Sequence, residues 1–111
     1  MIKAYGTKLI LSEGKLGIKG AISLAEEMCK ENPNAIFVGQ FTNMSNPRAH
    51  ELTTGPELVK QCEQFGVNPA YLVCCVGSGG TLSGVAKVMK PVFPQMKVVA
   101  IEPFDSQLLA G

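Results

Sequence analysis

Short runs of apolar residues alternate along this chain with longer segments in which apolar residues recur at helical spacing. Such short continuous runs are typical of strands in a parallel sheet that is covered on both faces. They occupy residues 8–11, 35–38, 70–76 and 97–101. The pattern therefore predicts four strands.

Three helical segments separate the predicted strands. Over residues 18–29, apolar residues recur at i, i+3, i+4 and i+7, which predicts an amphipathic helix of about three turns ending near Asn32. Residues 47–65 contain two helix start signals, so they are predicted as one bent helix or two consecutive helices. The last helix follows Thr81 and stops near Pro91.

The two start signals differ in chemistry. Asn46 and Pro47 suit an N-cap and the first helical position. Thr54 and Glu57 have the spacing of a capping box, in which each side chain bonds to the other residue's backbone N–H. Both helix starts are therefore predicted to be held by side-chain caps.

The element order β-α-β-α-β-α-β predicts the fold class. It is α/β, with an open, mostly parallel sheet, helices on both faces and right-handed crossovers.

Charge and composition exclude several classes of protein. Ten Lys and Arg against nine Asp and Glu leave a net charge of +1, which excludes electrostatic capture of nucleic acid or of an anionic membrane as the main function. With 46% hydrophobic and 17% charged residues, the chain does not have the composition of a disordered protein. The apolar runs are far shorter than the about 20 residues of a membrane span, and no targeting segment opens the chain. We expect a cytoplasmic location, with an organelle as the alternative.

The four cysteines are Cys29, Cys62, Cys74 and Cys75. They form no C-x-x-C pair, and one histidine cannot complete a zinc site of the usual spacing. Cys74 and Cys75 are adjacent in the predicted third strand, so they are expected to point to opposite faces of the sheet. We expect buried, reduced thiols and no metal site.

The third predicted strand runs directly into a glycine-rich turn that opens the last helix. The turn consists of Gly77, Ser78, Gly79, Gly80 and Thr81. Glycines let an anion approach the backbone closely, and the free N–H groups and dipole of the helix N-terminus attract it. The serine and threonine hydroxyls can donate further hydrogen bonds. The turn is therefore a candidate phosphate-binding loop.

Known loop patterns fit these letters to different degrees. The Walker pattern fails because Val85 stands where lysine is required, and the hydrolase elbow fits neither Ser78 nor Ser83. The dinucleotide pattern has Leu82 in place of its third glycine, but Glu102 closes the next strand where a ribose ligand is expected. A nucleotide-binding module therefore remains an alternative. A turn that only permits tight strand–helix packing is another.

Further stretches accompany the glycine-rich turn in unbroken order. They are Gln40-Phe41-x-Asn43-x-x-Asn46-Pro47, His50-x-x-Thr53-Thr54-Gly55-Pro56-Glu57, and Ile101-Glu102-Pro103 followed by Ser106. Together these letters resemble the cysteine synthases (O-acetylserine sulfhydrylases) of the β-family, or fold type II, of pyridoxal-phosphate enzymes. The resemblance covers essentially the whole chain, with a departure at Met44, where many relatives have proline. Cystathionine β-synthase shares much of the pattern and is an alternative.

The resemblance implies an enzyme that makes L-cysteine from O-acetylserine and sulfide by β-elimination and β-replacement through an aminoacrylate intermediate. It implies that pyridoxal 5′-phosphate is the cofactor and that Gln40 binds the substrate carboxylate in a cleft lined by Phe41. The residues implied to hold the cofactor phosphate are Gly77, Ser78, Gly79, Gly80 and Thr81.

The resemblance also divides the chain. Residues 1–34 match the end of a smaller N-terminal domain, and residues 35–111 match part of the cofactor-binding C-terminal domain. A homodimer is expected, and serine acetyltransferase is a candidate partner. A regulatory interaction module is the alternative from another functional class.

Three parts of the family's active site have no match in this sequence. They are the Schiff-base lysine in its Ser-x-Lys-Asp/Glu-Arg-like context, the Thr-Ser-Gly-Asn-Thr-Gly loop, and the downstream serine at the pyridine nitrogen. No catalytic residue is therefore assigned, and we expect an internal fragment of a longer enzyme that is inactive by itself. His50, the single histidine, is expected to be solvated or locally hydrogen-bonded rather than catalytic.

Overall fold

The computed structural model describes residues 1–105, which contain four α-helices and two β-strands. They are α1 (Gly17–Glu31), α2 (Ser45–Leu52), α3 (Thr54–Gln64), β1 (Tyr71–Cys75), α4 (Gly80–Val92) and β2 (Lys97–Ile101), with 3₁₀ helices at Ile2–Tyr5 and Gly14–Leu16. The chain separates into two compact units, residues 1–38 and the residues from Gly39 onward. The domain boundary after residue 34 stays a prediction, and Ser106 lies outside the described residues.

Helix α1 dominates the first unit and confirms the predicted amphipathic helix. It ends at Glu31, and Asn32 is extended because the following Pro33 disfavours a helical conformation there. The Oδ1 atom of Asn32 accepts the N–H of Asn34 at 3.0 Å, which turns the chain away from the helix axis.

The strands predicted at residues 8–11 and 35–38 are wrong. Neither segment is part of a strand, and Leu11 and Ile36 remain 81% and 86% exposed. A strand exists only through hydrogen bonds to a neighbouring strand, and the sheet of the described residues contains only β1 and β2. Apolar character alone was therefore an insufficient signal.

In the second unit, residues 45–64 form two helices rather than one bent helix. Thr53 separates α2 from α3 with φ −124° and ψ −78°, outside the helical region. The predicted cap at Asn46 is wrong, because α2 already begins at Ser45 and Met44 is its N-cap. Pro47 is tolerated there since the N–H groups of a first turn have no partner inside the helix.

The predicted capping box of α3 is also wrong. Thr53 is the N-cap, and its hydroxyl donates to the carbonyl of Ala49 at 2.8 Å instead of capping α3. The hydroxyl of Thr54 lies 3.0 Å from His50 Nδ1. Hydrogen bonds to residues of the preceding helix thus replace the local cap.

Strands β1 and β2 pair in parallel, with Tyr71 opposite Lys97 and Cys75 opposite Ile101. This confirms the α/β class with parallel strands, and it confirms the two predicted strands at residues 70–76 and 97–101 within one residue at each end. Alternate β1 residues are half-buried and exposed, so adjacent Cys74 and Cys75 point to opposite faces as predicted.

The hydrophobic core lies where α4 packs against β1 and α3. Its buried residues are Val85 and Met89 of α4 together with Met96, which precedes β2. Helix α2 approaches α4 closely at Gly84, where an added Cβ would meet the carbonyl of Pro47 and the Cβ of His50. The close approach brings the residues before and within α2 to the N-terminal half of α4.

The thiols are free, but they are not buried as predicted. Cys29, Cys62 and Cys74 are half-buried, and Cys75 is exposed. Within residues 1–105, no three His, Cys, Asp or Glu side chains come together as metal ligands would. None of the helices in that range is both long and apolar enough to cross a bilayer.

Candidate functional site

The glycine-rich turn connects the end of β1 to the start of α4. After the strand, the N–H of Val76 donates to the carbonyl of Ile101 at 2.9 Å. Gly79 is left-handed, with φ 81°, and its carbonyl accepts the first helical hydrogen bond from the N–H of Ser83 at 3.0 Å. Because glycine alone adopts this conformation without steric cost, the chain turns from strand to helix within a few residues.

The start of α4 keeps backbone donors available to an external anion. In the described part of the chain, no hydrogen bond uses the N–H of Gly79, Gly80, Thr81 or Leu82. The helix dipole concentrates partial positive charge at the same end. These donors suit a phosphate group without the help of a cationic side chain.

A second polar turn leads into α2. The carbonyl of Gly39 accepts the N–H groups of Thr42 at 3.0 Å and Asn43 at 2.8 Å, and Asn43 Oδ1 accepts the N–H of Ser45 at 2.9 Å. Gly39 is itself left-handed, with φ 58°. This tight turn is the segment that carries Gln40 and Phe41.

Asn46 joins the two turns. Its Nδ2 donates to the carbonyl of Gln40 at 2.9 Å and to the hydroxyl of Ser78 at 2.8 Å. An added Cβ at Gly80 would collide with the same amide, so the glycine permits this contact. Sequence reasoning placed Asn46 as a helix cap and missed this role, although the residue stood in a stretch that carried the resemblance.

A cavity of about 270 Å³ lies between the two turns and α4. It is lined by Gln40 and Phe41 from one turn and by Ser78, Gly79 and Gly80 from the other. The structure therefore brings most of the candidate residues of both motifs to one place. Gly77 and Thr81, which were also candidates, do not line this cavity.

The residues around this cavity fit a phosphate group. At Gly79 the space of a Cβ is open except for Ser83 Oγ at 3.9 Å, and the N–H groups of Gly79 and Gly80 have no internal partners. Gly77 does not line the cavity, but nothing within 4 Å would contact a Cβ there, so the turn is open at that position too. Tight packing accounts for Gly80, where the Asn46 amide occupies the place of a Cβ, but not for the open space at Gly77 or for the available donors.

Thr81 contacts His50 instead of lining the cavity. Its Oγ1 lies 3.1 Å from His50 Nε2, and His50 Nδ1 lies 3.0 Å from Thr54 Oγ1. The expectation of a locally hydrogen-bonded histidine is confirmed at Thr54, and the link to α4 is new. No signal in a single sequence pairs two side chains 31 positions apart.

Ionic contacts close the side of the cavity formed by α2 and α4. Glu51 accepts from Lys87 Nζ at 2.8 Å and from Arg48 at 2.8 Å, and the Glu51 side chain is only 10% exposed. The hydrogen bonds from Lys87 and Arg48 lower the pKa of the Glu51 carboxyl below its usual value. Glu51 and Lys87 both line the cavity, so the Lys87 ammonium near it is already engaged by a carboxylate.

Comparison with known proteins agrees with this geometry. The model of the pyridoxal-phosphate dependent enzyme family matches residues 1–111. A cysteine synthase of Staphylococcus aureus is 49% identical over the whole chain, and the chain spans 35% of the length of that relative.

Two solved structures support the same relationship. A hydrogen sulfide-producing enzyme from Fusobacterium nucleatum is similar with TM-score 0.89 at 35% identity, covering 97% of this chain and 33% of its own. An O-acetylserine dependent cystathionine β-synthase from Helicobacter pylori is similar with TM-score 0.88 at 33% identity, covering 99% and 35%. The glycine-rich turn, its helix and their parallel strands therefore belong to a known architecture, and this chain is a member of the pyridoxal-phosphate dependent enzyme family.

Proposed function

We propose that this protein is a cysteine synthase that makes L-cysteine from O-acetylserine and sulfide. The observation that carries the proposal is the cavity that places Gln40 beside the glycine-rich turn at the start of α4. The similarity to cysteine synthases over the whole chain supports the substrate class. Pyridoxal phosphate, when bound, supplies the electron sink for β-replacement.

In this proposal, the glycine-rich turn anchors the cofactor by its phosphate. The residues that hold the phosphate are Gly77, Ser78, Gly79, Gly80 and Thr81, with backbone N–H groups as the main donors. A dianion is stabilised there by the helix dipole and by several hydrogen bonds at once. Anchoring one end of a flat ligand also restricts its rotation, which orients the reacting end.

Gln40 and Phe41 are proposed to bind the amino-acid substrate. The Gln40 amide is a neutral donor that suits a carboxylate, and Phe41, which is 44% exposed, offers an apolar wall beside it. The Asn46 amide donates to the backbone carbonyl of Gln40 and thereby holds the Gln40 backbone in place. The substrate is thereby oriented by a neutral amide rather than by a cation, since the Lys87 ammonium that lines the cavity is paired with Glu51.

The activity is proposed for the whole protein, not for the 111-residue chain by itself. None of its lysines has the sequence context of the family's Schiff-base lysine, so the chain alone is expected to be inactive. Residues 1–34 and 35–111 are proposed to belong to a smaller domain and to the cofactor domain. A homodimer, serine acetyltransferase as partner and a cytoplasmic location are further proposals that rest on the resemblance.

The direct test is sulfide-dependent formation of cysteine from O-acetylserine by the protein at its full natural length, with and without pyridoxal phosphate. Cofactor-dependent product supports the proposal. A protein that binds the cofactor and forms cystathionine when homocysteine replaces sulfide, but forms no cysteine from sulfide, would instead support the cystathionine β-synthase alternative, which the Helicobacter pylori neighbour favours. Absence of cofactor binding would refute both.

A further inference from the structure

His50 lies between two threonine hydroxyls on different helices. Its Nδ1 is 3.0 Å from Thr54 Oγ1 at the start of α3, and its Nε2 is 3.1 Å from Thr81 Oγ1 in the first turn of α4. His50 and Thr54 are half-buried, whereas Thr81 is exposed. The three side chains form one continuous hydrogen-bonded chain that ends at the helix start described above.

The number of protons limits these hydrogen bonds to two opposite arrangements. A hydroxyl carries one proton, and a neutral imidazole carries one on either nitrogen. Within residues 1–105, His50 is the only hydrogen-bond partner of the Thr54 hydroxyl. Two arrangements therefore satisfy both contacts: Thr54 donates to Nδ1 and the Nε2–H donates to Thr81, or the Nδ1–H donates to Thr54 and Thr81 donates to Nε2.

With its proton on Nε2, His50 donates to Thr81 Oγ1, and the one proton of Thr81 stays available for an outside acceptor. The opposite arrangement would direct the Thr81 proton to His50 and leave only lone pairs facing an anion. Lone pairs repel a phosphate, whereas a hydroxyl proton binds it. The tautomer of His50 thus decides whether Thr81 can bind an anion.

We propose that His50 is a positioning residue for cofactor binding: it holds Thr81 Oγ1 as an acceptor and so directs the Thr81 hydroxyl proton toward the cofactor phosphate. This inference rests on the proposed function, because it requires the phosphate to lie at the start of α4. It concerns affinity for the phosphate and predicts no proton transfer by His50.

The experiment compares His50→Gln with His50→Asn in the protein at its full natural length. The Gln amide nitrogen can occupy the place of Nε2 and donate to Thr81, whereas the shorter Asn amide reaches only the place of Nδ1. The dissociation constants of the cofactor-free protein are measured for pyridoxal phosphate and for pyridoxal, which lacks the phosphate. We expect His50→Asn to weaken pyridoxal phosphate binding about tenfold and His50→Gln to weaken it by less than about threefold.

Binding of pyridoxal separates a positioning role from a structural one. We expect it to be unchanged in both variants, since the phosphate is the group that Thr81 contacts. Thr53→Val is the matched control, because the Thr53 hydroxyl donates to the Ala49 carbonyl and does not contact His50. The inference would be overturned if the affinities for pyridoxal and for pyridoxal phosphate fell equally. It would also be overturned if His50→Gln lowered the affinity for pyridoxal phosphate as much as His50→Asn does.

Thr81→Val keeps the inference testable if a His50 variant does not fold. Thr54→Val should weaken pyridoxal phosphate binding in the unaltered background but not in the Thr81→Val background, because both act through one hydroxyl. If Thr54→Val weakened pyridoxal phosphate binding equally in both backgrounds, the inference would be overturned. Failure of the unaltered protein to bind pyridoxal phosphate would instead refute the proposed function.

Discussion

Asn46 Nδ2 donates to Ser78 Oγ at 2.8 Å, which joins the turn before α2 to the glycine-rich turn 32 positions later. The same nitrogen donates to the carbonyl of Gln40 at 2.9 Å. One amide therefore sets the distance between the proposed substrate-binding turn and the proposed phosphate-binding turn.

Replacing Asn46 should loosen both turns at once. Asn46→Asp keeps the size of the side chain but removes both donated protons and adds a negative charge beside the phosphate-binding turn. We expect weaker binding of pyridoxal phosphate, by about tenfold or more, and a loss of about 1–3 kcal/mol in the free energy of unfolding.

The variant for comparison is Ser78→Ala, which removes one of the two acceptors and one proposed phosphate ligand and leaves the Gln40 contact intact. Its cofactor affinity, measured by fluorescence titration, should lie between that of the unaltered protein and that of Asn46→Asp. Unchanged affinity in Asn46→Asp would contradict the role assigned to the amide.

Gly84 is predicted to be required for the packing of α2 on α4. A Cβ there would collide with the Pro47 carbonyl, so Gly84→Ala should lower the free energy of unfolding by about 1–3 kcal/mol despite the better helix propensity of alanine. Urea unfolding measures the change. Gly14→Ala is the control, since nothing lies within 4 Å of its added Cβ; an equal loss there would show that the close approach is not the cause.

The Glu51 cluster predicts how stability depends on pH. The hydrogen bonds from Lys87 and Arg48 lower the pKa of Glu51 in the folded protein relative to the unfolded chain. This carboxylate therefore contributes stability above its unfolded pKa, and the contribution is lost as the pH falls through the lower folded pKa.

Glu51→Gln should lower the melting temperature at neutral pH and make it fall less steeply on acidification. Glu63→Gln serves as the control, because the Glu63 side chain forms no ion pair or hydrogen bond within residues 1–105. Thermal melts between neutral pH and the acid range of carboxyl titration measure both. If the melting temperatures of Glu51→Gln and of the unaltered protein fell equally with pH, this carboxylate would make no such contribution.

Gln40 is predicted to affect the substrate rather than the cofactor. Gln40→Glu places a carboxylate where the substrate carboxylate is proposed to bind, so KM for O-acetylserine should rise about tenfold or more while the affinity for pyridoxal phosphate changes little. Steady-state kinetics and cofactor titration separate the two effects. A comparable loss of cofactor affinity would place Gln40 at the phosphate instead.

The amino-acid sequence determined those elements whose signal is local. The 3.6-residue period of α1 specifies backbone geometry without reference to distant residues. The glycine-rich turn was located for the same reason, since Gly79 with φ 81° is a local requirement. The prediction of a candidate phosphate loop depended on nothing farther away than its own helix.

Tertiary structure decided those features that require a hydrogen-bond partner from elsewhere in the chain. Residues 8–11 and 35–38 have the letters of strands but are not strands, because a strand needs a neighbour to accept and donate its backbone hydrogen bonds. Asn46 has the residue type of a helix cap, yet it bonds to Ser78, because the packing of α2 on α4 brings that acceptor near. The side chains around the cavity come from distant positions of the chain, and a single sequence records no contacts between distant positions.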